Sequence, residues 1–113
     1  MNKIDGFIEL LIDLTNKDKI VWKEVNGDDT RYSVLTPSFL VEYHCQGDGF
    51  KFRKISIFDG NGNIICKYNN VYEGSTAKYL RELEFSIFEQ EKRYINDVIE
   101  KAKSELLQIA NAK

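Results

Sequence analysis

The amino-acid sequence predicts an α+β fold with an N-terminal helix, a four- to five-stranded antiparallel meander sheet and a long C-terminal helix. Three observations support this prediction. Apolar residues recur at helical spacing near both ends of the chain, β-branched and aromatic segments fill its middle, and Gly-containing turns separate those segments. Because the chain has 113 residues, we expect one domain over 1–113 that needs no disulfide or metal to fold.

The N-terminal segment has the pattern of an amphipathic helix over residues 3–16. Its apolar positions follow steps of three and four residues: Ile4, Phe7, Ile8, Leu11 and Leu14. Asp5, Glu9 and Asp13 interrupt the apolar stretch, which is typical of neither a signal peptide nor a membrane span. We therefore expect a cytoplasmic protein without membrane contact.

The middle of the chain carries the strand pattern. The segment KIVWKEV (19–25) is β-branched and aromatic, NGDD (26–29) is a turn signal, and a short strand at 32–35 ends before Pro37. Three further apolar segments follow: FLVEYHC (39–45), FKFRKISIF (50–58) and IICKY (64–68). Because QGDG and DGNGN separate them, an antiparallel meander is predicted.

The DGNGN segment could be a cation loop or a hairpin turn. Asp59, Asn61 and Asn63 match the first, third and fifth ligand positions of a helix–loop–helix calcium loop. The sixth position holds Ile64 instead of Gly, and the twelfth holds Asn70 instead of a bidentate Glu. Since the flanking residues also have strand character, we predict a turn and no metal site.

No other short motif indicates catalysis, a metal or a cofactor. Cys45 and Cys66 are expected to be thiols, and His44, the one histidine, is expected to face solvent on a strand. Adjacent strand residues alternate between faces, so His44 and Cys45 cannot ligate one metal ion. We therefore expect no enzyme activity, cofactor or metal.

Nucleic-acid binding is also disfavoured. The net charge is −2, which provides no basic surface. The segment GFKFRKI (49–55) resembles the aromatic strand of RNA-recognition modules at its Gly-Phe-x-Phe core only. Asp48 stands where those modules have a basic residue, and Arg53 replaces an aliphatic one.

The hairpin loops predict a strand register. A four-residue QGDG loop would place Tyr43 opposite Phe52 and Leu40 opposite Ile55, and a five-residue DGNGN loop would place Ile57 opposite Ile65. The predicted core face contains Phe39, Val41, Tyr43, Cys45, Phe50, Phe52, Phe58, Ile64, Cys66 and Tyr68. The other face would then carry an apolar patch that something must cover: Leu40, Ile55, Ile57 and Ile65.

From 77 to 110 the chain contains no Pro or Gly and keeps helical spacing, with Ser75 or Thr76 as the expected N-cap. Such a helix is roughly 50 Å long, whereas a domain of this size is about 35 Å across. The helix therefore either breaks near 89–92 or projects. A heptad seam favours projection: Phe85, Phe88, Lys92, Ile95, Ile99, Ala102, Leu106 and Ile109.

These features lead to a functional expectation of a non-enzymatic protein-interaction module. We expect a homodimer that serves as an accessory, immunity or inhibitor protein and binds a partner protein. The alternative is a small-ligand or nucleotide-binding domain with an aromatic pocket around Trp22, Tyr32 and Tyr72. The order of elements is similar to that of small bacterial or phage proteins. The expected interface residues are Leu40, Ile55, Ile57, Ile65, Phe85, Phe88, Ile95, Ile99, Ala102, Leu106 and Ile109.

Overall fold

A computed structural model describes residues 3–47, 52–70 and 74–112, and these form the predicted α+β fold. Five antiparallel strands follow one another in the sheet in the order β1-β2-β3-β4-β5. The elements are α1 (Lys3–Asn16), β1 (Lys23–Val25), β2 (Asp28–Leu35), β3 (Phe39–Gln46), β4 (Phe52–Asp59), β5 (Ile64–Asn69) and α2 (Gly74–Asn111). Phe50 and Tyr72, which the sequence prediction used, lie outside the described residues.

Two hairpin turns have the geometry that their sequences predict. Asn26 and Gly27 both have positive φ (53° and 76°), as a two-residue type I′ turn requires. In the DGNGN turn, one carboxylate oxygen of Asp59 accepts hydrogen bonds from the backbone N–H groups of Asn61 and Asn63, each at 2.9 Å. The prediction of a turn at this segment is confirmed.

The register between β3 and β4 differs from the prediction. Tyr43 lies opposite Ile55, and Leu40 lies opposite Phe58, a shift of three residues. The strands stop at Gln46 and resume at Phe52, so the connection is longer than the four residues assumed. Because an odd shift exchanges the two faces of a strand, β4 presents the opposite set of side chains to the core.

This shift corrects the predicted outer patch. Ile55 is fully buried, and Ile57 lies opposite Val41 on the inner face. Their predicted positions on the outer face were wrong, as were the predicted core positions of Phe52 and Phe58. Leu40 does lie on the outer face, as predicted.

A β-bulge changes the pairing of β4 with β5. Phe58 lies opposite Ile64 as predicted, but Ile57 lies opposite Cys66, which leaves Ile65 as the extra residue. The predicted pairing of Ile57 with Ile65 was therefore wrong. Cys66 is in β5 and Cys45 in β3, with β4 between them, and the two form no disulfide.

The core lies between the inner face of the sheet and the two helices. Two cross-strand rows form that inner face: Tyr32, Tyr43, Ile55 and Tyr68 in one, and Val34, Val41, Ile57 and Cys66 in the other. The helices contribute Ile4, Ile8, Leu11, Leu80, Leu83 and Ile87. These residues follow the three- and four-residue steps that predicted both helices.

The two helices run parallel and share buried polar contacts. Near their N-termini the Thr76 hydroxyl donates to the Asp5 carboxylate at 2.9 Å, and both side chains are buried. Helix α2 already begins at Gly74, so Thr76 lies inside the helix. Of the two expected N-cap residues, Ser75 or Thr76, Thr76 is not the cap, and its hydroxyl binds α1 instead.

Helix α2 is continuous through 89–92, so of the two alternatives, a break there or a projecting helix, the break is absent. The polar residue Gln90 is buried and binds the segment that follows α1. Its Oε1 accepts from the Trp22 backbone N–H (3.0 Å), and its Nε2 donates to the carbonyls of Ile20 (2.7 Å) and Thr15 (3.3 Å). The interruption of the apolar pattern is therefore a docking contact between distant parts of the chain.

Neighbouring side chains complete this contact. The Trp22 indole N–H donates to the Thr15 hydroxyl at 2.8 Å, and Arg93 donates to the Asp18 carboxylate at 2.9 Å. The hydrogen bonds from Arg93 and then Gln90 lower the pKa of Asp18. Residues 17–22 are thus held against α2, which is why β1 spans only 23–25 instead of the predicted 19–25.

Replacing Gln90 with Ala should destabilise the fold by about 2–3 kcal/mol, because a buried backbone N–H and two carbonyls lose their partner. We expect a lower midpoint in urea unfolding and a red shift of Trp22 emission before the global transition. Gln108→Ala is the matched control, since Gln108 lies on the same helix and is exposed. Equal stability of the two variants would contradict this account.

Candidate interaction surface

The last part of α2 leaves the body of the protein. Residues 94–112, here called the arm, are all exposed. The molecule measures 63 × 34 × 24 Å with a radius of gyration of 17.2 Å, whereas a compact chain of this length would have about 13 Å. Of the two alternatives drawn from the sequence, the helix projects.

The apolar stripe of α2 continues from the body onto the arm. Inside the body the buried positions of α2 include Leu80, Leu83, Ile87 and Gln90. Two four-residue steps onward from Gln90 lead to Tyr94 and Val98 on the arm. At about 3.6 residues per turn, the arm residues Ile95, Ala102 and Ile109 lie close to the same line. The arm therefore presents its apolar stripe on the side of the helix that faces the sheet.

A groove of about 500 Å³, here called the root groove, lies where the arm leaves the body. Val21 and Trp22 form one wall, and Tyr94 and Ile95 form the other. Lys23, Glu24 and Glu91 supply its charged residues. The hydrogen bond from the Trp22 indole to Thr15 fixes the first wall, so the groove depends on the same docked segment that Gln90 holds.

Tyr32 lies at the floor of the root groove. Its hydroxyl donates to the Glu91 carboxylate at 2.9 Å, and its ring meets Phe88 edge-on with centroids 6.0 Å apart. Burial and then the Glu91 carboxylate raise the pKa of Tyr32. The phenol is therefore a neutral hydrogen-bond donor at physiological pH.

The outer face of the sheet carries a second apolar group. Leu35 pairs with Leu40, Leu40 with Phe58, and Phe58 with Ile64, so four apolar side chains form one row across β2–β5. The two ends of this outer row are exposed to solvent to different extents: Leu35 is 80% exposed and Ile64 is 50% exposed. Three members of the row, Leu35, Leu40 and Phe58, line a shallow depression together with Pro37 and Gly60 of the neighbouring turns.

The opposite end of the outer face is polar. His44 lies between Arg31 and Lys54 on the neighbouring strands and is only 4% exposed. The expectation of a solvent-facing histidine was therefore wrong. Burial lowers the pKa of His44, and the positive charges of Arg31 and Lys54 lower it further, so the imidazole is neutral at physiological pH.

A buried charged cluster lies between α2 and the inner face of β4. Glu84 Oε2 accepts from Arg53 Nε (3.1 Å) and Nη2 (3.0 Å), and the Tyr43 phenol interacts with the same carboxylate. Burial and then Glu84 raise the pKa of Tyr43. The cluster joins α2 to the sheet through the Arg53–Glu84 ion pair, and its residues are not among those that line the root groove.

The structure brings together only part of the predicted interface set. Five of its residues lie on the arm and are exposed: Ile95, Ile99, Ala102, Leu106 and Ile109. Leu40 lies on the outer side of the sheet and Ile65 is exposed at the β4–β5 bulge, whereas Ile55 and Ile57 belong to the inner side. Phe85 is 67% exposed but faces the groove beside Ile12 of α1, and Phe88 packs against the core.

Several exposed apolar residues were not in the predicted set. They include Val21, Leu35, Ile64, Tyr94 and Val98. The four-residue step from Gln90 through Tyr94 to Val98 was a usable signal for the arm. No local signal identified the outer row, because its membership depends on the β3–β4 register.

Among residues 3–47, 52–70 and 74–112, no three His, Cys, Asp or Glu side chains are grouped so that they could hold a metal ion. Over the same described ranges no helix combines the length and apolar character needed to cross a membrane. No protein-family model matches the chain, and no curated protein or solved structure is significantly similar to it.

We expect no stoichiometric calcium binding at the DGNGN turn, because the Asp59 carboxylate already accepts backbone N–H groups. Those hydrogen bonds lower the pKa of Asp59. Isothermal titration with calcium chloride should give no saturable heat, and Asp59→Ala should lower the melting temperature equally with and without calcium. Micromolar binding that Asp59→Ala abolishes would contradict this prediction.

Proposed function

We propose that the chain is a non-enzymatic protein-interaction module that self-associates as a homodimer through its arm. The observation that carries this proposal is a continuous apolar stripe on a helix segment that its own body does not cover. The net charge of −2 gives no strongly charged surface that would favour a nucleic-acid or membrane partner instead. Its interactions would therefore depend on apolar complementarity.

Exposure of the seam is energetically unfavourable for an isolated chain. Ile95, Ile99, Leu106 and Ile109 are 45%, 54%, 65% and 71% exposed, and full burial of such a side chain contributes roughly 1.5–3 kcal/mol. A helix segment of this length without tertiary contacts is also only marginally stable in water. Pairing with a second helix would stabilise both, and a twofold interface between identical subunits is the commonest arrangement.

The outer row provides a second surface for a partner protein. A patch made of Leu35, Leu40, Phe58 and Ile64 lies on the face of the sheet that the helices leave uncovered. This position supports the proposal of an accessory, immunity or inhibitor protein that dimerises through one surface and covers a partner with another. Two cysteines without a disulfide support action in a reducing compartment, and we propose the cytoplasm.

A small-ligand-binding domain is the second candidate, and the root groove favours it. The volume of the groove and the aromatic side chains of Trp22 and Tyr32 that line it are suited to a planar apolar or nucleotide-like ligand. Trp22 is the one tryptophan, so its emission reports on this groove. Saturable quenching by a nucleotide or aromatic metabolite, unaffected by protein concentration, would support this candidate over self-association.

For self-association, we expect Ile99→Asp/Leu106→Asp to sediment as a smaller species than the wild type at tens of micromolar. Two charges in the seam would be costly to bury, and the body should keep its circular dichroism signal from the sheet. Ser104→Asp/Gln108→Asp is the matched control, because it adds the same charge on the opposite side of the arm. It should sediment like the wild type.

A wild-type protein that is monomeric at these concentrations would overturn the proposed homodimer. Equal dissociation of the seam variant and the control variant would show that added charge, rather than loss of the apolar seam, weakens association. That result would also count against the arm as the interface.

A further inference from the structure

We propose that two copies of the chain pair their arms antiparallel, and that the tip of each arm closes the root groove of the other copy. This inference rests on the self-association proposed above and assigns its geometry. The tip residues concerned are Leu106 and Ile109, and the groove residues they meet are Val21, Tyr94 and Ile95. Each groove would then be complete only in the presence of the second copy.

The side of α2 on which the apolar stripe lies decides whether two arms can pair parallel or antiparallel. Over Leu80–Gln90 this side of α2 packs on the sheet of its own chain, and over the arm the same side is apolar and exposed. In a parallel pair, both sheets would have to occupy the space between the two helices. An antiparallel pair places the two bodies at opposite ends of the paired arms and avoids this overlap.

The length of the arm matches an antiparallel pair centred on Ala102. Ile95 and Ile109 each lie seven residues from Ala102, or about 10 Å along a helix. A twofold axis at Ala102 therefore places Ile109 of one copy opposite Ile95 of the other, next to Tyr94 and Val21. The small side chain of Ala102 permits the helices to cross at roughly 8 Å.

Charged residues beside the stripe are complementary in this arrangement. Lys101 and Glu105 are exposed and lie one turn apart on the same flank. Because the twofold axis reverses the chain direction, Lys101 of each copy lies near Glu105 of the other. The pairing thus forms two reciprocal ion pairs from two residues.

The apolar area is sufficient for a stable pair. Seven side chains that belong to the arm and the root groove are between 45% and 71% exposed: Val21, Tyr94, Ile95, Val98, Ile99, Leu106 and Ile109. If each covers on the order of 100 Å², two copies bury roughly 1,200–1,400 Å², which lies within the range of specific interfaces.

Disulfide trapping tests this geometry directly. In a Cys66→Ser background, Ile95→Cys and Ile109→Cys chains are oxidised separately and after mixing. We expect a covalent dimer in the mixture only, because position 95 meets position 109 and neither meets itself. The parent protein, which retains the buried Cys45, should form no covalent dimer.

Covalent dimers from each variant alone would overturn the antiparallel pairing in favour of a parallel one. A protein that sediments as a dimer but gives no mixed disulfide would overturn this geometry while leaving the proposed self-association intact. A monomeric parent protein would overturn both. Unchanged circular dichroism of the variants verifies that the body is folded.

A second measurement uses the charges. Lys101→Glu and Glu105→Lys should each weaken dimerisation several-fold, because each homodimer then opposes like charges. An equimolar mixture should recover the wild-type affinity, since the two variants restore opposite charges across the axis. A mixture as weak as either variant alone would contradict the proposed register.

Discussion

The Gln90 side-chain amide joins two parts of the chain that lie about 70 residues apart in sequence. It binds backbone groups of residues 15–22 on one side and belongs to α2 on the other. An amide suits this position because it can donate and accept at once. The position of Trp22, the start of β1 and one wall of the root groove all follow from this contact. Gln90 is also the last buried residue of α2, so the same contact marks the end of the body and precedes the arm.

The sequence predicted those elements whose signal is local. The spacing of Ile4, Ile8 and Leu11 gave the bounds of α1, and the Asn-Gly and Asp-Gly dipeptides gave the turns, because backbone conformation there depends on a few adjacent residues. The apolar seam from Ile95 to Ile109 was recognised for the same reason. Its repeat is a property of the helix itself and requires no knowledge of what surrounds it.

Features that depend on distant partners were not predictable in the same way. The polar stretch around Gln90 left a break as one of two alternatives, since a sequence pattern does not distinguish a solvated glutamine from one that binds a segment about 70 residues away. The face of Ile55 depended on the length of the β3–β4 connection, and an error of three residues exchanged the two faces of β4. Of the outer row, Leu40 was recognised from the sequence, whereas Leu35, Phe58 and Ile64 were missed.

Helix α2 runs without interruption from the body into the arm. The rotation of the arm about the helix axis is therefore fixed relative to the body. Residues 77–110 contain neither Gly nor Pro, so no flexible joint separates the buried stripe from the exposed one. Each residue of a helix turns the chain by about 100°. Insertion of one residue after Arg93 would therefore rotate the arm's apolar stripe away from the sheet side, whereas seven residues would restore its direction and lengthen the arm. Insertions and deletions in this helix are thus constrained, because they change the direction of the apolar stripe, and substitutions are constrained because they change its composition.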